Sequence, residues 1–190
     1  MSENTTTNNK IMLSHLGNLD ENDLQYIRKE LENSGIEFKH LSTNGQITNS
    51  VDDFSLHTFY ILASPIIVDL VKHVGKNLVW ESLKSVFAYT KDRVRGQKMN
   101  KVTARGVTEL PLKFGVHATL DKNTSFNFEI SCDSSNEHFN ENVDKILDFL
   151  REQTPKDKFE LTSRVTFSEK DGEWHSESIY EYARKKANEN

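Results

Sequence analysis

An α+β fold is the class this sequence predicts, with helices packed on a mostly antiparallel sheet. Three observations predict it. Leu110, Leu112, Phe114, Val116, Ala118 and Leu120 fall on every second position, and so do Phe126, Phe128, Ile130 and Cys132. Such alternation marks strands with one buried face. A register setting Leu120 opposite Phe126, Val116 opposite Ile130 and Phe114 opposite Cys132 puts both apolar sets on one side, and a slip of one residue would expose one of them. Phe139, Val143, Ile146, Leu147 and Leu150 recur instead at helical spacing. Finally, Phe159, Leu161, Val165 and Phe167 alternate again before Asp171-Gly172, a two-residue hairpin signal leading into Trp174–Ser178.

Along the chain, Ser2–Asn9 is polar and expected to fray. Ile11–Leu16 reads as a first strand. Asn18 or Asp20 caps a helix whose Leu24, Ile27 and Leu31 form a stripe, and Gly35 ends it. Ile36–Leu41 alternates as a second strand, Thr43–Asp53 as a polar loop, and Phe54–Leu62 as a strand apolar on both faces at its end, hence central in a sheet. Ser64-Pro65 is a helix start. Its stripe of Ile67, Leu70, Val71, Val74 and Leu78 continues less regularly through Trp80, Leu83, Phe87 and Val94, with a bend expected near Gly75–Asn77. Ser134 and Glu137 have capping-box spacing ahead of the helix at 139–150. A short helix from Ile179 to Lys186 closes the order β-α-β-β-α(α)-β-β-α-β-β-α. Residues 96–106 are the candidate boundary, a basic linker between an N-terminal α/β half (1–95) and a C-terminal α+β half (107–190). One continuous domain fits as well.

Composition bounds the function. The 190 residues carry 35% apolar and 28% charged side chains, enough for a core under a solvated surface. The single cysteine, Cys132, leaves no intrachain disulfide and reads as a small buried hydrophobe, in keeping with a reducing cytoplasm. No signal peptide is expected in polar Met1–Lys10. The apolar stretch Tyr60–Trp80 holds Asp69, Lys72, His73 and Lys76, too many charges for a membrane span. Abundant Asn and Lys suggest an AT-rich, bacterial genome. The net charge of −5 is unevenly spread: residues 91–106 carry six basic groups and only Asp92 as an acid, between two acidic flanks.

No catalytic, metal or nucleotide motif emerges. The seven histidines form no HExxH pattern and no i, i+4 pair, and one cysteine excludes a CxxC zinc site. His117 is expected opposite Glu129 as an ordinary cross-strand pair, and His73 as a satisfied helical histidine. Cys132-Asp133 with nearby His138 lacks the electropositive setting a thiolate needs. Asp52-Asp53 has no apolar setting to separate two acid strengths, and Asp20, Glu21 and Asp23 are what a helix N-terminus favours. No catalytic residue, cofactor or metal ligand is therefore assigned. Two surfaces remain. Leu70, Val74, Leu78, Val79, Trp80, Leu83, Val86 and Phe87 are more than one helix face needs, which fits either a subunit or partner interface, with Trp80, Leu83 and Phe87 as its candidate residues, or a buried helix in the middle of the fold. Arg93, Arg95 and Lys98, with Lys91, Lys101 and Arg105, form a candidate phosphate contact, or a solvated helix end whose cations complement the dipole.

The layout of a short strand, helix Asp20–Ser34, strand Ile36–Leu41, the strand-to-helix passage Phe59-Tyr60-Ile61-Leu62-Ala63-Ser64-Pro65, a helical segment with a Trp and a basic end, and the strand pair at 110–132 resembles the effector-associated constant component domains of prokaryotic conflict systems, over residues 10–132. The resemblance implies an adaptor that joins a sensor or effector by protein contact and has no active site. The leading expectation is thus a cytoplasmic, non-enzymatic, homo-oligomeric interaction module. The alternative is a nucleic-acid or nucleotide-binding module using 91–105. An enzyme would need a pocket gathering several of His40, His57, His73, His117 and Asp133.

Overall fold

The computed structural model describes residues 10–43, 57–61, 78–103, 106–120, 124–132, 135–153, 163–168 and 170–188. Its strands are β1 (Lys10–His15), β2 (Glu37–Ser42), β3 (His57–Ile61), β4 (Lys98–Thr103), β5 (Gly106–Pro111), β6 (Lys113–Thr119), β7 (Ser125–Ser131), β8 (Ser163–Ser168) and β9 (Glu173–Ser178). Its helices are α1 (Glu21–Glu32), α2 (Leu78–Val94), α3 (Asn136–Gln153) and α4 (Ile179–Asn188). The helix expected from Ser64-Pro65, the bend at Gly75–Asn77, Ser2–Asn9 and residues 159 and 161 lie outside the described residues.

Seven strands form one sheet in the order β2-β1-β3-β6-β7-β8-β9, and β4-β5 form a separate two-stranded sheet. The α+β class holds, but the main sheet is mixed and not mostly antiparallel. β1–β2, β3–β6 and β7–β8 are parallel, while β1–β3, β6–β7 and β8–β9 are antiparallel. The cause is connectivity. Parallel neighbours need a crossover long enough to return the chain, and α1, α2 and α3 each lie on one of the three crossovers. Strands from both sides of residues 96–106 share this sheet, since β3 pairs with β6.

The alternating run at 110–120 proves to be two strands from two sheets. β5 ends at Pro111, and β6 begins at Lys113. Pro111 supplies no N–H to a ladder, and the chain turns into the main sheet at buried Leu112. The β6–β7 register also differs from the expectation by two residues: Phe114 pairs with Ile130, Val116 with Phe128 and Ala118 with Phe126. A two-residue slip keeps every side chain on its face, so alternation alone does not detect it. The turn decides it: the Leu120 N–H donates to the Thr124 carbonyl at 2.9 Å, closing the hairpin one step tighter. At the β8–β9 hairpin the last pair is Ser168 with Glu173, so residues 169–172 connect the strands and Asp171-Gly172 is not a two-residue turn.

Helices α1, α2 and α3 cover the apolar face of the sheet. Asp20 caps α1: its carboxylate accepts from the Asp23 N–H at 2.9 Å, and its own N–H donates to the Asp23 carboxylate at 3.1 Å. Gly35 ends this unit in the left-handed region (φ 74°), which costs glycine little. For α3 the cap is Ser135, whose Oγ accepts from the His138 N–H at 3.4 Å, one residue later than the expected Ser134. The helix spans 136–153, and Phe139, Val143, Ile146, Leu147 and Leu150 are all buried. Between these two helices α2 touches both. It reaches α1 through Ser34–Ser82 and the stacked Tyr26–Tyr89 rings, and α3 through Trp80 and Lys84 on Asp144. At the centre Phe87 packs against Phe59 and Phe114, and Phe114 against Phe139. On the opposite, polar face α4 lies at the β8–β9 end, with Arg164 of β8 over the Tyr182 ring at 4.2 Å.

Candidate interaction surface

The apolar surplus of α2 is core and not surface. Trp80, Leu83 and Phe87 are 6%, 0% and 0% exposed. A helix with the sheet beneath it and a neighbour on each side buries more than half its circumference, and this is why α2 is apolar beyond a single stripe. Trp80 anchors it by donating its Nε1–H to Asp144 Oδ1 at 2.8 Å. Of the two roles open to them, Trp80, Leu83 and Phe87 fill the one inside the fold: their side chains are buried within the chain itself.

Much of the basic segment has regular structure. Its first part completes α2, and residues 98–103 form β4, paired with β5 so that Lys98 faces Pro111 and Thr103 faces Gly106. The cations divide accordingly. Lys91 is buried, its ammonium bonded to Asn136, 3.3 Å from the Asp92 carboxylate and 4.9 Å from the Phe139 ring centre. Arg93 reaches back to α1, with Nε 2.8 Å from Asp23 Oδ1 and both Nε and Nη2 on the Tyr89 hydroxyl. The Tyr89 hydroxyl and the Asp23 carboxylate hold Arg93 more firmly charged than usual. Burial, then the hydrogen bond to Asp23, raises the Tyr89 phenol above its ordinary value. Asp23 thus completes the capping box of α1 and clamps α2 at once. Lys98 sits 2.5 Å from Glu109 across the hairpin, and this hydrogen bond raises its affinity for the proton. Arg95 is exposed. Arg105 and the Lys101 side chain lie outside the described residues. The three proposed phosphate contacts do not share one partner set: Arg93 pairs with Asp23 of α1, Lys98 with Glu109 on the hairpin, and Arg95 is exposed.

The β4–β5 hairpin is an arm. Gln97 fixes its root, accepting from the Leu112 N–H at 3.0 Å through its carbonyl, donating its amide to the Arg93 carbonyl at 2.8 Å and bonding the Asn18 side chain. Beyond that root Lys98, Asn100, Gly106, Val107, Thr108, Glu109 and Pro111 are all exposed. Val107 is 65% exposed, unusual for a β-branched aliphatic in a strand. Two strands alone are marginal in water.

His117 bonds Asn127 at 2.5 Å and lies near Tyr60; it does not face Glu129. Glu129 instead holds Lys113 and, at 2.7 Å, Arg164, joining β6, β7 and β8 on the polar face. Arg164 was not singled out in the sequence. Its place between residues 163 and 165 of an alternating strand puts it on that face, but only the parallel β7–β8 pairing brings it to Glu129. His138 is exposed and pairs with Glu141, far in character from buried Cys132. His73, Asp52, Asp53 and Asp133 lie outside the described residues, as does the side chain of His57.

His15 is buried and bonded to His40, with Nε2 3.4 Å from His40 Nδ1, while His15 Nδ1 accepts the Gly17 N–H at 3.1 Å. This leaves His15 neutral with its proton on Nε2, directed at His40. Burial, then the neighbouring His40, pushes its pKa below the ordinary value. The arrangement disfavours a metal, because both His15 nitrogens are already engaged. Among the described residues no group of three or more His, Cys, Asp or Glu is placed to hold a metal ion. No described helix is long and apolar enough to cross a membrane. The fold and its arm define a mixed-sheet α+β domain with a projecting β-ribbon. Neither a family model nor a curated protein nor a solved structure matches the chain.

Proposed function

We propose that this chain is a non-enzymatic protein–protein interaction module, an accessory or adaptor acting in the cytoplasm of a bacterium, in a conflict or defence system. One observation carries the reading: β4 and β5 form a two-stranded sheet of their own, anchored at its root by Gln97, with Lys98, Asn100, Val107, Thr108 and Glu109 exposed. An exposed strand edge is a template for another strand, and main-chain pairing of this kind supplies affinity without a pocket. The polar residues found at strand ends and helix caps are engaged in structural bonds, which suits a binding role. The bacterial and defence setting rests on the layout resemblance alone.

The test is a photo-crosslinking residue at Thr108, with the same residue at exposed Glu173 on β9 as control, in cells of the source organism. A discrete protein adduct at 108 and none at 173 supports the reading. No adduct at 108 overturns it.

A second reading keeps the same arm as a nucleic-acid contact, because a two-stranded ribbon with Lys98 and Lys101 on β4 fits a major groove. It predicts duplex binding that falls steeply with salt and weakens in Arg93→Ala, Arg95→Ala and Lys98→Ala. Binding that is absent or indifferent to salt rejects it.

A further inference from the structure

We infer that His15 and His40 form a proton-sensitive latch at the edge of the main sheet, closed while both rings are neutral, and that protonation frees the end of β2 from β1. β2 is the outermost strand and, among the described residues, pairs only with β1. Phe38 is its one buried side chain, and Lys39 to Ser42 are all exposed. A segment with so few buried contacts opens locally at low cost. Its end is tied to β1 at His15. The His15 carbonyl accepts from the Thr43 N–H at 2.7 Å and from the Thr43 hydroxyl at 3.1 Å, and the His15 ring bonds His40.

The hydrogen bonds leave no room for an added proton. The Gly17 N–H fills His15 Nδ1, so the one ring proton sits on Nε2 and points at His40 Nδ1, which must accept it. A proton added to His15 goes to Nδ1 and faces the Gly17 N–H. One added to His40 Nδ1 faces the His15 Nε2–H. Either turns a hydrogen bond into a meeting of two donors, and two charged rings with centres 5.6 Å apart repel.

The charged groups around the latch are occupied elsewhere. Glu37 and Lys39 of β2 alternate onto the opposite face of the sheet, where they meet Lys10 of β1. At the start of α1, Asp20 and Asp23 accept each other's N–H, and Asp23 also holds Tyr89 and Arg93. On the other side of β1, His57 heads β3, and its side chain lies outside the described residues. Among the described residues, the histidines paired with a carboxylate are His138 and His175, not His15 or His40. Burial, then His40, holds His15 below the ordinary histidine value. Once the end of β2 lifts, His15 regains water and the ordinary value of about 6.5. The closed state is therefore complete above that pH. Below it, opening gains up to about tenfold per pH unit for each proton taken up.

The experiment is amide hydrogen exchange of the full chain from about pH 7.5 to about pH 5.5, each rate divided by its intrinsic value at that pH. Protection of the Thr43 amide is expected to fall toward acid. The Leu120 amide, which closes the β6–β7 hairpin away from the latch, is expected to keep its protection. His15→Gln is expected to abolish the acid response at Thr43. His40→Gln, at an exposed position, keeps an acceptor for His15 Nε2–H but takes no proton, and is expected to make the response shallower. Thr43 protection that ignores pH overturns the inference. So does a fall that Leu120 shares equally, which is unfolding of the whole domain, or a response that His40→Gln leaves as steep as before.

Discussion

Replacing Phe87 by alanine separates a core residue from an interface residue, because the two roles predict opposite outcomes. Phe87 is 0% exposed, with ring centres at 5.0 Å to Phe59 and 5.5 Å to Phe114, and Trp80 edge-on at 6.4 Å. Truncation removes the transfer free energy of the ring and leaves a cavity that the packed sheet beneath and helices α1 and α3 on either side cannot collapse into. Phe→Ala at such sites costs about 3–5 kcal/mol. The lost ring–ring contacts, about 0.5–1.5 kcal/mol each, place Phe87 in the upper part of that range, about 4 kcal/mol. For a chain of this length that is a fall in thermal midpoint of roughly 8–16 °C. Urea unfolding at neutral pH reads it directly as a lower midpoint with an unchanged slope. Exposed Leu78→Ala is the control and should stay within about 0.5 kcal/mol. A cost for Phe87→Ala below about 1 kcal/mol, with loss of self-association, would refute the burial argument and return α2 to the surface.

Stability should also depend on pH through His15. Its folded pKa lies below the ordinary histidine value of about 6.5, so its contribution is complete above that value and is lost as the pH falls through the folded value. The urea midpoint should drop between about pH 7 and pH 5, and His15→Gln should flatten that drop; an equally steep profile in the variant would refute it. Glu129→Gln leaves Lys113 and Arg164 without their shared carboxylate on a half-buried face, at a cost of about 2 kcal/mol by urea titration. Asp20→Ala removes the cap of α1 and should cost about 1 kcal/mol, visible also as faster amide exchange in the first turn of α1.

Local chemistry is what the chain declared by itself. A cap of α1 at Asn18 or Asp20, which the structure places at Asp20, its end at Gly35, buried Cys132 and the core-facing apolar stripe at 139–150 were all legible, because capping, left-handed φ and face periodicity depend only on neighbours within a few residues. The α+β class followed from those same periods. What needed the tertiary structure was every decision between distant segments. Alternation runs unbroken through Pro111, so nothing local marks where one sheet ends and another begins. A two-residue register shift leaves each face unchanged, so only the Leu120–Thr124 closure selects Phe114 against Ile130. The apolar excess of α2 reads the same whether a partner or a neighbouring helix covers it; Asp23 on one side and Asp144 on the other resolve that choice. Likewise the cations of 91–105 look alike in the sequence, yet one is sealed in the core, one clamps α1, and one neutralises Glu109 on the arm. Charge and hydrophobicity are properties of single residues, whereas their use depends on which surfaces the fold brings within a few ångströms.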